Sequence, residues 1–434
     1  MIKRNGTREP QLRIRYMLIV SVSGIAFSIF PILGSSCGRP ERGASVADWR
    51  TGTHDCERRA AGDATLVFNR GGPLHPGDLE LECDLVIGRD SGPEEYIFRS
   101  VSQVAVDRAG TMYVRNMDPV MVYSSEGEFL RRFSGRGNGP GEFPLPPRIQ
   151  VFADGALDAI GVDGRWSRWS PEGELLFDRR AYDFRVSLGT HRYTTPGGFT
   201  SFSYRSPWRS GNDTTTTWCF YRCGEDLLPM GIAAQFPTVS TESVQSVFEG
   251  DNMGAPIPFS VDLRSHQGSS GLIAIAFGDS ARVRTFGPDF VLRNDICWEA
   301  GREPVEAPDI QRAWEIYDAG YVGSPWPEDL MRQTQRFRES LDYPETRPIL
   351  DAVLVGNDDR IWVERWGEKT WSDSPEPDGV YDYWVFDPAG EMDFAVTLPF
   401  RIAAATAVHL FERFNDGEST PQVRRYRWAP PHPD

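Results

Sequence analysis

The sequence predicts an all-β protein, a six-bladed β-propeller of four-stranded antiparallel blades with a small helical insertion and an N-terminal signal segment. Three observations lead to this prediction: a four-strand unit that recurs about every 45 residues, the glycines that close its turns, and the 42 glycines and 33 prolines among 434 residues. Short apolar runs between turn residues are typical of small antiparallel sheets. Because one such sheet cannot bury both faces alone, neighbouring copies must cover it.

The first two units are the clearest copies of the repeat. From residue 104, the chain reads as strand VAVD, turn RAG, strand TMYVRN, connection MDP, strand VMVYSS, turn EG and strand EFLRRFS. The stretch RIQVFADGALDAIGVDGRWSRWSPEGELLFDRR repeats this order, with Gly155 45 residues after Gly110 and Gly173 46 residues after Gly127. Four strands at this period are typical of a propeller blade.

Later copies are fainter but bring the expected count to six. Residues 182–235, 271–295 and 352–398 each keep part of the pattern. The last unit, AAATAVHLFERFNDG followed by PQVRRYRW, lacks a good outer strand, whereas the early segment LELECDLVIGRD looks like an outer strand without a blade. We therefore expect these two segments to pair and close the ring, which also removes an exposed sheet edge.

The longest interruption of the repeat, residues 299–349, contains helical signals. PDIQRAWEIYDAG begins with a helix start signal and ends at glycine, and PWPEDLMRQTQRFRESL has apolar residues at helical spacing. We expect a small helical hairpin on the rim of the propeller. The alternative is a lid over its central channel.

The N-terminus predicts export. Basic residues precede an apolar run over residues 17–33, and GSSCG follows. This pattern is typical of a signal segment, so we assign residues 1–36 to the signal, 37–62 to a linker and 63–434 to the propeller. Cys37 matches the lipidated first residue of bacterial lipoproteins, although simple cleavage and an uncleaved anchor stay open. We expect a periplasmic or cell-surface protein that is anchored to the membrane by its N-terminus.

Charge and cysteine spacing exclude two classes of site. The formal net charge is −16, which argues against a nucleic-acid binder because phosphate neutralisation needs a basic surface. If Cys37 carries lipid, an odd number of cysteines remains. None of them, nor any of the six histidines, has the spacing of a zinc site. The remaining cysteines are Cys56, Cys83, Cys219, Cys223 and Cys297.

The repeat resembles the NHL-repeat family of six-bladed propellers and the similar propeller lipoproteins of bacteria. The residues that carry the resemblance are GNGPGEF, VAVDRAGTMYV and VYSSEGEFLRRF, and the likeness covers about residues 85–180 and 352–398. The segment YVRNMDP departs from the family, because it lacks the Asp and the Asn-x-Arg that follow the second strand. The resemblance implies that ligands bind at the end that holds the second-to-third connections and the blade-to-blade linkers.

Loop lengths point to the same end of the ring. Turns between the first and second strands, and between the third and fourth, are short, whereas the long segments 206–217, 236–268, 299–349 and 366–379 all fall at the opposite end. We call these the short-turn end and the loop-rich end. Long loops in compact domains are usually functional. Arginines and aromatic residues there suit carboxylates, sugars or protein side chains. The expected ligand-binding residues are Arg115, Asn116, Arg136, Asn138, Asp163, Arg165, Trp166, Glu364, Arg365 and Trp366.

The expected function is a non-catalytic binding or protein-interaction module of the cell envelope, without a cofactor. Its partner would be an envelope protein or a small-molecule or glycan ligand. The alternative is a metal-dependent hydrolase or lyase with its site on the propeller axis. Lactonases with similar propellers bind calcium there, and Asp107, Asp163, Asn357 and Glu364 are the candidates for such a set. The scattered histidines and the absence of GxSxG supply no catalytic group.

Overall fold

The computed structural model describes residues 53–117, 119–180, 191–194, 200–206, 217–223, 229–237, 259, 263–319, 338–339, 343–367, 379–415, 417 and 419–429. The predicted signal segment, Cys37 and most of the long loops lie outside these residues, so those predictions stay predictions. Within the described ranges, no helix is both long enough and apolar enough to span a membrane.

Three strands precede the first blade. A hairpin consists of β1 (Asp55–Ala61) and β2 (Ala64–Arg70), and β3 (Glu80–Ile87) follows. The two regular blades come next, in the places where the repeat is clearest. The first is β4 (Val101–Val106), β5 (Met112–Asn116), β6 (Val120–Tyr123) and β7 (Phe129–Phe133). A short parallel pair in the glycine-rich linker is β8 (Gly135–Arg136) and β9 (Glu142–Phe143), and the second blade is β10 (Arg148–Val151), β11 (Leu157–Ile160), β12 (Arg165–Trp169) and β13 (Leu175–Arg180).

Four more sheets follow along the chain, together with one helix. Their elements are β14 (His191–Thr194), β15 (Thr200–Ser206), β16 (Thr217–Cys223), β17 (Pro229–Pro237), β18 (Leu263–Gln267), β19 (Ile273–Phe277), β20 (Arg282–Phe286), β21 (Leu292–Trp298), α1 (Ala307–Ala319), β22 (Leu350–Val355), β23 (Ile361–Arg365), β24 (Tyr381–Phe386), β25 (Met392–Leu398), β26 (Ile402–Ala405), β27 (His409–Phe414) and β28 (Gln422–Ala429). Helix α1 confirms the first predicted helix of the insertion. Most of the second candidate lies outside the described residues.

The sheets form a β-propeller, with one correction to the predicted blade count. Five sheets have four antiparallel strands: β4–β7, β10–β13, β14–β17, β22–β25, and β26–β28 with β3. The sheet that contains β18–β21 has six strands, because β2 pairs parallel to β21 and β1 extends the edge. Among the described residues, the structure therefore shows five four-stranded blades instead of six. The sequence did not reveal the added hairpin because β1 is mostly exposed and has no apolar stripe.

Strands β3 and β28 pair as predicted. β3 runs antiparallel to β28, from Ile87 opposite Val423 to Glu80 opposite Ala429. Arg425 of β28 forms a two-pronged ion pair with Asp84 of β3, at 2.8 and 3.2 Å. This pairing confirms that the segment before the first blade is the outer strand of the last one.

Apolar side chains from neighbouring sheets meet and form the core. Tyr113 and Val122 of the first blade pack in one cluster with Ile149 and Leu157 of the second. Elsewhere Val67 of the added hairpin shares a cluster with residues of β20–β25. The described clusters thus lie between neighbouring sheets, and removing apolar surface from water drives their association.

Five strands, β4, β10, β18, β22 and β26, come together around one cavity, and we call these the inner strands. Their C-terminal halves line a small cavity of about 40 Å³, which has room for about one to three waters. The lining comes from residues 103–106, 149–151, 266–269, Val355, Asn357 and residues 403–405. Because these are the ends of β4, β10, β18, β22 and β26, the five strands run in one direction. Their first residues must meet at the opposite, loop-rich end.

We expect Gly88→Ala to weaken the ring closure. Gly88 follows β3 with φ of 124°, and a Cβ there would lie 2.6 Å from the carbonyl oxygen of Pro421 beside β28. Backbone strain of about 1–3 kcal/mol would add to this clash, so we expect a loss of about 2–4 kcal/mol in the free energy of unfolding, measured by urea denaturation. Gly62→Ala is the matched control, since Gly62 also has positive φ but open space around it. Equal losses in both variants would contradict the prediction.

Candidate functional site

Five arginines and two carboxylates gather at the loop-rich end, around the starts of the inner strands. Arg148, Arg264 and Asp351 occupy the first or second position of β10, β18 and β22, and Arg401 directly precedes β26. Second strands contribute the other side chains, because they end where the inner strands begin. We call this set the axial mouth. Its members are Arg115, Arg148, Arg264, Asp351, Glu364, Arg401 and Arg413.

One side of the axial mouth is an ion-pair network. Arg401 donates from Nη2 to Asp351 Oδ2 at 2.6 Å and from Nε to Glu364 Oε2 at 2.9 Å. Arg264 reaches the other oxygen of Asp351 at 3.3 Å. The hydroxyl of Tyr383 donates to Glu364 Oε2 at 3.3 Å and accepts the amide of Ile402 at 3.0 Å. The network therefore joins the starts of three inner strands.

Glu364 is a buried carboxyl group with a perturbed pKa. It is 2% exposed, and its Oε1 has no hydrogen-bond partner among the described residues. Burial raises the pKa of Glu364 to about 7; Arg401 opposes this rise and Asp351 adds to it. Burial also lowers the pKa of Arg401, but the attraction of Glu364 and Asp351 more than offsets it and raises that pKa above its ordinary value. The arginine therefore stays charged.

The other side of the axial mouth is a cluster of arginines. Arg115 donates from Nε to Ser102 Oγ and from Nη1 to the carbonyl oxygen of Pro147, both at 2.6 Å. Arg413 donates to the carbonyl oxygen of Ser102 at 2.8 Å. Burial lowers the pKa of Arg115, and the charges of Arg413 and Arg148 lower it further. Arg413 and Arg148 are thus close enough to Arg115 for their charges to repel its guanidinium group.

The charge of Arg148 also acts on His266, which lines the cavity. Burial lowers the pKa of His266 to about 3, and the charge of Arg148 contributes to the shift. His266 Nδ1 accepts the backbone amide of Val355 at 3.1 Å, so the neutral ring carries its proton on Nε2. His266 therefore stays neutral at physiological pH and adds no charge to the cavity that it lines.

This arrangement favours an anion. The axial mouth holds five guanidinium groups and two carboxylates, on a chain whose formal net charge is −16. Arginines presented in different directions can hold a carboxylate through forked, charge-assisted hydrogen bonds. An anion in the mouth would relieve the repulsion between Arg115, Arg148 and Arg413. The cavity below admits only water-sized groups, so the mouth suits a group presented from outside.

Two of the ten sequence-predicted site residues lie in the axial mouth: Arg115 and Glu364. Four others shape or border the glycine-rich linker. Arg165 donates to the carbonyl oxygens of Asn138, Gly139 and Glu142 at 2.6–3.0 Å. Asp163 accepts the backbone amide of Arg165 at 3.2 Å, while the side chains of Arg136 and Asn138 are exposed away from this network.

The remaining four predicted residues stabilise the blades or the insertion. Asn116 accepts the backbone amides of residues 99 and 100. Trp166 is 2% exposed and packs edge-on against Phe177. Arg365 pairs with Glu303 of the insertion at 3.1 Å. The ring of Trp366 lies 5.5 Å from that of Phe259.

Arg148, Arg264, Asp351, Arg401 and Arg413 were not predicted as site residues. Four of them share one signal, since each stands at or just before the start of an inner strand. Aligning the starts of the first strands across the repeats would have placed these four on one ring. Arg413, near the end of a second strand, occupies a place similar to that of Arg115.

The structure does not bring the proposed calcium set together. Asp107 and Asn357 lie at the short-turn end, where the Asn357 amide donates to the Asp107 carbonyl oxygen at 3.0 Å. Asp107 Oδ1 accepts the backbone amide of Thr111 at 2.9 Å, which closes the tight turn at Gly110. Glu364 lies at the opposite end of the ring, with Arg401 as its partner. These four residues cannot ligate one ion on the axis.

Glu364 is expected to make stability fall with rising pH. Its pKa is about 7 in the folded protein against an ordinary 4.5, so between these pH values the folded state keeps a proton that the unfolded chain releases. Its contribution therefore decreases by about 3 kcal/mol as pH rises from 4.5 to 7. Glu364→Gln lacks this group. In urea unfolding at pH 5, 6, 7 and 8, the free energy of unfolding of the variant should therefore rise relative to that of the wild type by about 2–3 kcal/mol. If the free energy of unfolding depends on pH in the same way in both proteins, the raised pKa of Glu364 is contradicted. Glu82→Gln on exposed β3 should run parallel to the wild type and is the control.

No protein-family model and no curated protein matches the chain, so membership of the NHL family stays a prediction. Solved propellers resemble it in structure. A candidate exported protein from Bacteroides fragilis is 10% identical, with a TM-score of 0.45 over 81% of this chain and 95% of that one. A member of the DUF4221 family from Bacteroides vulgatus is 9% identical, with a TM-score of 0.43 over 81% and 98%. Virginiamycin B lyase from Staphylococcus aureus is 9% identical, with a TM-score of 0.36 over 81% and 99%. At these values the matches carry no functional argument.

Proposed function

We propose that this protein is an exported, envelope-associated β-propeller that binds a carboxylate-bearing ligand through its axial mouth and catalyses no reaction. The observation that carries the proposal is the cluster of the half-buried Arg115, Arg148 and Arg413; burial lowers the pKa of Arg115, and the charges of Arg413 and Arg148 lower it further. Holding three guanidinium groups together costs free energy, and a bound anion would recover it. The apolar run and the basic residues at the N-terminus support export.

The carboxylates of the axial mouth support binding over catalysis. A general acid or base must reach the substrate, but Glu364 is 2% exposed and Arg401 occupies its second oxygen. Asp351 is held by Arg264 and Arg401 together. Both carboxylates are thus engaged in fixing the arginines, which is a positioning role.

Calorimetric titration tests the proposal with three sources of the same chemical group. Tricarballylate represents a small acid, trigalacturonate an acidic glycan, and triglutamate an acidic protein segment. Neutral galactotriose is the control ligand. We expect saturable binding of at least one carboxylate probe, no binding of galactotriose, and an affinity that falls as ionic strength rises. If none of the three carboxylates binds above the level of galactotriose, the proposal is wrong.

A further inference from the structure

A mixed set of metal-ligating side chains lies where the N-terminal hairpin meets the β22–β25 blade. His54, Cys56 and Glu391 are half-buried, and their ligand atoms all lie within 4.8 Å of one another. His54 and Cys56 are two residues apart at the start of β1, so their side chains point to the same face of the strand. Glu391 directly precedes β25, 337 residues after His54, which explains why no ligand spacing was visible in the sequence.

Hydrogen bonds to the backbone on both sides of β25's start hold the two parts of this set at a fixed distance. The side-chain Nδ2 of Asn69 donates to the carbonyl oxygen of Gly390 at 3.0 Å, and its Oδ1 accepts the backbone amide of Met392 at 2.9 Å. The amide of Leu74 donates to the carbonyl oxygen of Met392 at 2.9 Å. Asn69 is 3% exposed. The ligands therefore stand on a packed framework, which precise metal geometry requires.

His54 has the orientation of a metal-binding histidine. Its Nδ1 lies 3.0 Å from the carbonyl oxygen of Gly72, and only a protonated Nδ1 can donate there. Such a hydrogen bond fixes the tautomer of metal-binding histidines. Nε2 then presents its lone pair to Glu391 Oε1 at 3.0 Å. Two acceptors that face each other need a cation between them, which is either a proton or a metal ion.

The carboxylate is oriented as well. Arg58 Nη2 donates to Glu391 Oε2 at 2.9 Å, and the Glu391 backbone amide donates to Asp387 Oδ1 at 2.8 Å. Arg58 therefore occupies one oxygen of Glu391 and leaves Oε1 directed at His54 and Cys56. A hydrogen-bonded outer partner of this kind is the usual support of a ligating carboxylate.

We infer that His54, Cys56 and Glu391 form a zinc site that links the N-terminal hairpin to the β22–β25 blade. One nitrogen, one sulfur and one oxygen ligand suit Zn²⁺, whereas calcium and magnesium take oxygen ligands. In a tetrahedral zinc site the ligand atoms are about 3.3–3.8 Å apart. The three atoms are within 4.8 Å of one another now, so shifts of about 1 Å complete the geometry, and water takes the fourth position.

The site would strengthen the attachment of the hairpin. Along its own sheet the hairpin is held by β2 alone, through parallel pairing with β21. A zinc ion would add a link from β1 to a different blade. Since β1 lies within the predicted linker of residues 37–62, such a link would fasten the C-terminal part of that segment to the propeller.

Metal binding to the full-length protein tests this inference. After treatment with a chelator, the protein is titrated with Zn²⁺ against a chromophoric competitor, and with Co²⁺ while thiolate-to-cobalt absorbance is followed. We expect one tight zinc ion per chain, a cobalt–thiolate band and a higher melting temperature with zinc. Cys56→Ser and His54→Ala should weaken zinc binding at least about 100-fold, and Cys56→Ser should remove the band.

Two controls use residues outside the set. Cys83 is exposed on β3, and His75 lies 3.8 Å from Asp393; Cys83→Ser and His75→Ala should bind zinc as the wild type does. If His54→Ala does not fold, Glu391→Gln takes its place and should lose at least about 10-fold in affinity. Absence of saturable zinc binding in the wild type overturns the inference and leaves a proton between His54 and Glu391. Full binding in Cys56→Ser overturns it too, since the metal then lies elsewhere.

Discussion

Replacing Arg264 and Arg413 together by alanine is expected to weaken carboxylate binding at least about 100-fold. Each charge-assisted hydrogen bond to the ligand contributes about 1.5–3 kcal/mol, and the two residues lie on different sides of the axial mouth. Arg264 has a side chain that is 41% exposed, so losing its ion pair with Asp351 should cost little stability. Calorimetric titration with the best carboxylate probe measures the change in Kd.

The control for this prediction is Arg293→Ala. Arg293 forms an exposed ion pair with Asp289 at 3.3 Å in a turn of the short-turn end. Arg293→Ala removes one positive charge, against two in the double variant, from the opposite end of the ring, and binding should change less than about twofold. Arg264→Lys should keep part of the affinity, because lysine supplies the positive charge but not the two parallel hydrogen bonds that a guanidinium group makes to a carboxylate. Equal losses in Arg293→Ala and in the double variant would show that overall charge, not the axial mouth, governs binding.

The second large effect concerns a buried ion pair inside the second blade. Asp158 is fully buried and Arg168 is 6% exposed, and their side chains form two hydrogen bonds of 2.5 and 2.7 Å. The guanidinium carbon lies 4.9 Å from the ring centroid of Phe152. Asp158→Ala leaves this guanidinium buried without its carboxylate, so we expect the free energy of unfolding to fall by about 3–5 kcal/mol.

Urea unfolding with tryptophan fluorescence measures this loss, and two further variants define its origin. Removing both charges with Asp158→Leu and Arg168→Met should recover most of the stability, because apolar residues of similar size can replace a buried pair. Glu57→Ala breaks the exposed pairs of Glu57 with Arg59 and Arg70 and should cost far less stability than Asp158→Ala, because exposed ion pairs contribute little. If Asp158→Ala is no worse than Glu57→Ala, the buried pair does not stabilise the blade.

The parts of the fold that could be predicted are those whose signals are local. Turn glycines such as Gly110 and Gly155 have positive φ, 87° and 85°, and their spacing marked the repeat. The orphan strand before the first blade and the missing outer strand of the last predicted the β3–β28 pairing. The hairpin β1–β2 could not be predicted in the same way, because its partner β21 lies more than 200 residues further along the chain and its outer strand has no buried face.

The candidate site was predictable only in part, for a related reason. Arg115 and Glu364 end second strands that the repeat identified, so their position at the loop-rich end followed from topology. Trp166 was assigned to the same end, but its side chain faces the neighbouring strand and packs on Phe177. Arg401 and Asp351 meet across the gap between two blades, and only the closure of the ring creates that contact. The same holds for His54 and Glu391.

Hydrogen exchange with and without saturating trigalacturonate, tricarballylate or triglutamate, whichever binds, tests most directly whether the axial mouth is the binding face. The account predicts slower exchange in peptides that contain the starts of the inner strands β4, β10, β18 and β22, residues 99–103, 146–149, 263–265 and 348–352. It predicts no change in the turns of the short-turn end, residues 107–111, 153–156 and 356–359. Protection confined to those turns, or protection that is the same with galactotriose, would contradict it.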